Sequence, residues 1–331
     1  MTEISPGIHW LKLPNAAEDS SLSHVNIYLF RGDNGYLIVD AGWNTDSSFH
    51  TLHNYLVKNY LGFEDISQIF VTHAHPDHFG MAGRIAKLSG APVAMHPLEQ
   101  AEIAPRYVHM EELLHKTDVA LVANGLSHDE ATRLRDASLG MQNYVVPAEP
   151  DWLLREGDTV TTGEFTFRVI WTPGHSSGHL CLYEEDKKIL VCGDHILPSI
   201  TPNISLHPLA IENPLGRYLE SLKQMRNLEV TMVLPGHDQP FEKLADRVDT
   251  LLHHHDWRNA EIRAAMDGNK PTTAIAIARR IRWATKSKFE DLPALHQRMA
   301  TFETMAHLDM MTADRLLDRF TRDGIIYYRQ N

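Results

Sequence analysis

Ile69-Phe70-Val71-Thr72-His73-Ala74-His75-Pro76-Asp77-His78 sets a short apolar run directly before four metal-ligand side chains packed into six residues. The run has the length and β-branched content of a buried strand, so it delivers the His/Asp cluster at a strand's C-terminal end. Three further candidates follow at wide intervals: His175 in Thr172-Pro173-Gly174-His175, Asp194 in Cys192-Gly193-Asp194-His195, and His237 in Pro235-Gly236-His237. Each comes after an apolar run and beside Gly or Pro, where a strand ends and the chain turns. Imidazole nitrogens and carboxylate oxygens suit zinc and its first-row neighbours. Five His and two Asp exceed what one tetrahedral ion uses and match two ions that share a carboxylate. Two-metal sites are machinery for hydrolysis.

The ordered set His-x-His-x-Asp-His, then an isolated His, an isolated Asp and a Gly-His, resembles the signature of the metallo-β-lactamase superfamily over about residues 20 to 245. With His78 and Asp194 in place, it looks like the glyoxalase II and lactonase branches. Zinc β-lactamases often carry Cys where Asp194 stands, which disfavours antibiotic hydrolysis. The resemblance implies an α/β fold, a four-layer αβ/βα sandwich with the ligands at one edge of both sheets. It also implies that His73, His75 and His175 hold one ion, that Asp77, His78 and His237 hold the other, and that Asp194 bridges them. Two divalent ions are expected, zinc first, with iron, manganese or cobalt admitted by the same ligands. Water held between two such ions is acidified to a pKa of about 7 and becomes a nucleophile without Ser or Cys. Asp77 and Asp194 are the candidate catalytic carboxylates, Asp77 to orient the nucleophile or pass a proton. Asp40 and Thr72 are expected to hydrogen-bond the ligand histidines.

The other histidines carry a blander expectation. His9, His115, His307 and the run His253-His254-His255 read as surface or turn residues, the run being an exposed face of a polar helix. Apolar content of 43% is ample for a packed core and rules against disorder. Cys181 and Cys192 lie in apolar strand-like runs, with no CxxC spacing and no disulfide framework. The N-terminal stretch lacks a basic start and a long apolar segment, so a cytoplasmic, non-membrane protein is the expectation. Net charge of −12 disfavours nonspecific nucleic-acid binding by the whole molecule.

At 331 residues the chain suits one large domain and one small one. Residues 1–255 are expected to form the catalytic domain, with strands and helices alternating through residue 97. Residues 98–147 break that rhythm with helical spacing and fall between metal ligands, so they are expected to form a lid over the site. Met110, Leu114, Met141 and Tyr144 are its candidate contact residues. Residues 256–331 read as helices, including Ala260–Met266 and Ala313–Arg322, ending in the strand-like Ile325-Ile326-Tyr327-Tyr328. This order resembles a winged-helix domain. The segment holds 13 Lys and Arg against 10 Asp and Glu, so its balance is only +3. Arg279, Arg280, Arg282, Lys286 and Lys288 are its one basic cluster, a weak footprint for nucleic acid.

These features point to a metal-dependent hydrolase of small acyl compounds: an ester, a lactone or a thioester. The alternative is a metal-dependent nuclease that uses residues 256–331 to hold nucleic acid. A basic and Tyr set for glutathione is not evident. Ile196, Leu197 and Pro198 follow Asp194 where some lactonases place Tyr. A homodimer is compatible with the C-terminal segment.

Overall fold

The computed structural model describes residues 2–16, 23–283 and 287–331, so Lys286 of the basic cluster lies outside the described residues. In chain order the first elements are β1 (Thr2–Ser5), β2 (Ile8–Pro14), β3 (His24–Gly32), β4 (Gly35–Val39), α1 (Asp46–Lys58) and β5 (Ile66–Phe70). Next come α2 (Pro76–Phe79), α3 (Ala82–Ser89), β6 (Val93–Met95), α4 (Pro97–Tyr107), α5 (Glu111–Ala123), α6 (His128–Asp136) and β7 (Trp152–Leu153). The second set of strands is β8 (Thr159–Thr162), β9 (Phe165–Trp171), β10 (Leu180–Glu184) and β11 (Ile189–Gly193), followed by α7 (Pro214–Met225) and β12 (Met232–Pro235). The chain closes with α8 (Leu244–Ala265), α9 (Ala274–Ala278), α10 (Ala294–Ala313), β13 (Leu317–Arg322) and β14 (Ile325–Gln330).

These elements group into two compact units. The larger gathers Met1–Val108, Gly140–Pro202 and Asn227–Arg247. Its seven-stranded sheet runs β1 to β7 in sequence order, and its five-stranded sheet runs β12-β11-β10-β9-β8. Strand alternation explains how both are used. In β3, Val25, Ile27 and Leu29 join one apolar cluster with Leu52 and Leu56 of α1 and Ile85 of α3. The intervening Tyr28 and Phe30 join a second cluster with Phe165, Phe167 and Val169 of β9. The two sheets therefore face each other across a core in which the Phe30 ring meets Phe165 and Phe167 edge-on, at 5.3 and 4.9 Å. This is the sheet-on-sheet α/β architecture expected. The hairpin β1–β2 was not evident in the sequence, because residues 2–14 mix Pro, Lys and His with the apolar positions.

The smaller unit gathers His109–Leu139, Asn203–Arg226 and Val248–Asn331. Leu121, Leu126 and Leu134 of the insertion pack in one cluster with Ile262, Ile275, Phe302, Leu308 and Tyr328. Helices as short as α5 and α6 cannot enclose a core alone, so they share one with the C-terminal helices. The division is thus not a single cut at 255/256, which falls inside the continuous helix α8. The helix expected over Ala313–Arg322 is also corrected: α10 stops at Ala313, Arg315 takes a left-handed φ of 60°, and the chain reverses into β13. His255 and His307 are not surface residues but 1% exposed, facing each other inside this unit. No helix among the described residues is long and apolar enough to cross a membrane.

Candidate metal centre

The seven candidate side chains all belong to the larger unit and arrive from four strand ends. His73, His75, Asp77 and His78 follow β5, His175 follows β9, Asp194 follows β11 and His237 follows β12. Strand ends of two facing sheets thus converge on one edge. The turn after β5 is shaped by Pro76, which opens the single-turn helix α2 with His75 at its N-cap. Gly236 is required beside the site, because a Cβ there would lie 2.4 Å from Asp194 Oδ1 and 2.7 Å from His78 Cε1.

Three sets of ligand atoms stand close enough to share an ion: His73, His75 and His175; His73, His78 and Asp194; and Asp77, His78 and His237. In the first, His75 Nδ1 lies 2.9 Å from His73 Nε2 and 3.1 Å from His175 Nε2. In the last, His237 Nε2 lies 3.4 Å from Asp77 Oδ2, and His78 Nε2 lies 3.8 Å from it. Asp194 reaches across, with Oδ1 3.4 Å from His78 Nε2 and Oδ2 3.7 Å from His175 Nε2 and 3.5 Å from His237 Nε2. Ligands at about 2.0–2.1 Å around a tetrahedral ion are separated by roughly 3.3 Å, the spacing these atoms keep. His78 Nε2, His237 Nε2 and Asp194 Oδ1 are buried and have no hydrogen-bond partner among the described residues. Buried polar atoms are rarely left so, and a shared cation satisfies all three at once.

A surrounding layer fixes the ring orientations. Asp40, at the end of β4, takes a left-handed φ of 61°. Its carboxylate accepts from Thr72 N at 2.8 Å and meets His78 Nδ1 at 2.7 Å, leaving Nε2 of His78 to face the centre. Thr72 Oγ1 stands 3.0 Å from His73 Nδ1, and the carbonyl of His24 stands 2.8 Å from His237 Nδ1. His179, which sequence reasoning passed over, is fully buried, accepts from Asp194 N at 3.2 Å and meets Thr172 Oγ1 at 2.8 Å. Its available signal was a second Gly-His, Gly178-His179, four residues after Gly174-His175. Glu99 of α4 was also missed. It is 1% exposed and accepts from Ala74 N at 2.7 Å and Gly178 N at 2.6 Å. Burial, then Glu102, push its carboxyl up to about 7 against those two donors.

The electrostatics suit a cation. Burial and then the His78 imidazole hold His73 well below the ordinary histidine value, so it is neutral and able to ligate. Burial is the largest influence on His78 and His237 and pulls both down, but Asp194 and Asp77 together, with Asp40 added at His78, overcome it; His237 rises to about 10. Asp194 itself lies well below the carboxylate range, because His237 and His78 overcome its burial. The field that retains protons on these two imidazoles will retain a divalent ion in their place.

Of the lid candidates, Met141 and Tyr144 belong to the larger unit, whereas Met110 and Leu114 belong to the smaller. The Tyr144 ring is 41% exposed and stands edge-on to Trp43 at 6.0 Å. Val146 N donates to Gly80 O at 2.8 Å, which lays this segment beside the turn that carries His78.

Residues 21–237 match the family described as the metallo-beta-lactamase superfamily. A solved beta-lactamase domain protein from Burkholderia ambifaria is 30% identical, covers 100% of this chain and 94% of its own, and superposes with a TM-score of 0.83. The probable metallo-hydrolase YqjP of Bacillus subtilis is 24% identical over 93% of this chain and 94% of its own length. The acyl-coenzyme A thioesterase MBLAC2 of Homo sapiens is 26% identical over 72% of this chain and 80% of its own length. By the extent of the family match and the fold, this chain belongs to the metallo-beta-lactamase superfamily.

Proposed function

We propose that this metal-dependent hydrolase uses two divalent ions, zinc foremost, to cleave small acyl compounds, a thioester or ester ahead of a lactone. The observation that carries the reading is the convergence of seven side chains with three buried ligand atoms left unsatisfied. His73, His75 and His175 would hold one ion and Asp77, His78 and His237 the other, with Asp194 between them. Bound there, a divalent pair supplies acidified water and Lewis-acid polarisation of an acyl carbonyl.

The chain's own residues do the rest. Asp40 and Thr72 hold the rings of His78 and His73 so that their Nε2 atoms face inward. Asp77 is the more open of the two central carboxylates, its side chain 17% exposed against 9% for Asp194, and so it can exchange a proton with incoming water or leaving group at Oδ. A thiol nucleophile is not competitive: both cysteines are buried and free, and burial pushes Cys181 up to about 12. Trp43 and Tyr144 offer an apolar wall on the His78 side, in keeping with an acyl group.

Two observations weigh against nucleic acid. The net charge is −12, and two of the five residues of the basic cluster are paired with carboxylates, Arg279 to Glu130 and Arg280 to Asp267. The thioesterase relative favours an acyl substrate. Assay of metal-loaded protein on acyl thioesters, aryl esters, lactones and phosphodiesters tests this. Turnover of acyl compounds is expected; turnover of phosphodiesters alone would reject it.

A further inference from the structure

Helix α4 grips one residue of the candidate metal loop from two sides, through the two peptide groups that flank its Cα. Ala74 lies between His73 and His75; its N–H donates to Glu99 Oε2 at 2.7 Å and its C=O accepts from Tyr107 Oη at 2.5 Å. Glu99 and Tyr107 are eight residues apart on α4, about two turns, and so project from one face. The other oxygen of Glu99 accepts from Gly178 N at 2.6 Å, in the loop that carries His175. That loop is pressed onto the start of α4: a Cβ on Gly178 would meet His96 Nδ1 at 2.7 Å and Glu99 Cγ at 3.0 Å. His96 stacks flat on Trp171 at 5.6 Å, and Trp171 Nε1 donates to Ser177 O at 3.1 Å, closing the attachment.

We infer that Glu99 is a positioning residue, a buried clamp whose two carboxylate oxygens hold the His73/His75 loop and the His175 loop in the register that forms the three-His site. The inference rests on the metal-centre reading above. Glu99 acts through the backbone N–H groups of Ala74 and Gly178 and through the Ser176 hydroxyl next to His175. Its place in the first turn of α4 gives the buried carboxylate a favourable helix dipole, which fixes it there. The clamp serves one ion site and not the other, since in the second set His78 is held by Asp40 and His237 by the His24 carbonyl. Gln is nearly the same size but presents an amide NH2 to one of two N–H donors, so Glu99→Gln must break one of the two attachments.

The test titrates metal-free full-length protein with Co2+ in competition with a chelator, reading the visible absorption bands and the affinity of each equivalent. If wild-type protein takes up no cobalt, the metal reading itself fails. With wild-type binding established, Glu99→Gln is expected to weaken one equivalent by about 10–100-fold and to change its bands, while the other stays within about twofold. Tyr107→Phe removes only a hydroxyl and is expected to weaken the same equivalent by about two- to tenfold. It decides the matter if Glu99→Gln fails to fold. Unchanged binding and bands in these variants, or equal weakening of both equivalents, would overturn the clamp.

Discussion

His237 in the larger unit and His255 in the smaller are both buried imidazoles, 1% exposed, yet their proton affinities run in opposite directions. His237 rises to about 10 because Asp194 and Asp77 overcome its burial. His255 falls to about 3 because burial is reinforced by His254 and Arg258. One environment attracts a cation and the other repels it. His307 beside His255 shows the same sense, lowered well below the ordinary value by burial and then by His255 and Arg258. In the smaller unit His307 Nδ1 stands 2.6 Å from Asn259 Oδ1, and Asn203 donates to Glu303 at 3.0 Å. His78 and His237 thus gain proton affinity where carboxylates crowd them, and His255 and His307 lose it where burial and Arg258 act together.

The sharpest way to break that contrast is to remove the shared carboxylate. Asp194→Ala is expected to lower hydrolysis at least about 1000-fold, about 4 kcal/mol of barrier, in steady-state assays on the best substrate. Near-normal turnover would show that Asp194 does not couple the two ligand sets. Asp40→Asn is expected to act through the His78 ring it holds, weakening metal affinity by about 10–100-fold in chelator competition while the fold persists by circular dichroism.

The smaller unit should respond to acid instead. His255 is lowered to about 3 in the folded protein, against an ordinary histidine value of 6.5. Between those two pH values the unfolded chain binds the extra proton, so the stability from neutral His255 is complete above about 6.5 and is lost as pH falls. The slope is at most about 1.4 kcal/mol per pH unit. Thermal melts from pH 7.5 to 5 should show a smaller decrease in a His255→Asn variant than in wild type. Equal decreases would mean that His255 is not the group responsible. The smallest effect is expected at the wall: Tyr144→Ala should change KM for acyl substrates several-fold with little change in kcat, and an unaltered ranking of substrates would remove Tyr144 from the pocket.

The convergence of the candidate ligands was legible in the sequence because residue type, order and position after apolar runs mark them out. His73, Asp194 and His237 could be placed at strand ends without coordinates. The sheets were legible where strands alternate cleanly, as in Phe165–Trp171, and not at residues 2–14, where polar residues dilute the pattern. What stayed hidden was long-range. Nothing local to Glu99 says that its oxygens meet Ala74 and Gly178, 25 and 79 residues away. Nor does helical spacing in residues 109–139 say that they share a core with residues from 248 onward. His255 and His307 read as surface residues because a polar helix face and a buried one differ only in what packs on them.

The most direct test of the proposed two-ion centre is the metal content of full-length protein loaded to saturation and freed of excess ion, determined by elemental analysis against protein concentration. Two ions per chain are predicted, matching seven ligands with Asp194 shared. A ratio of one or less would contradict the account.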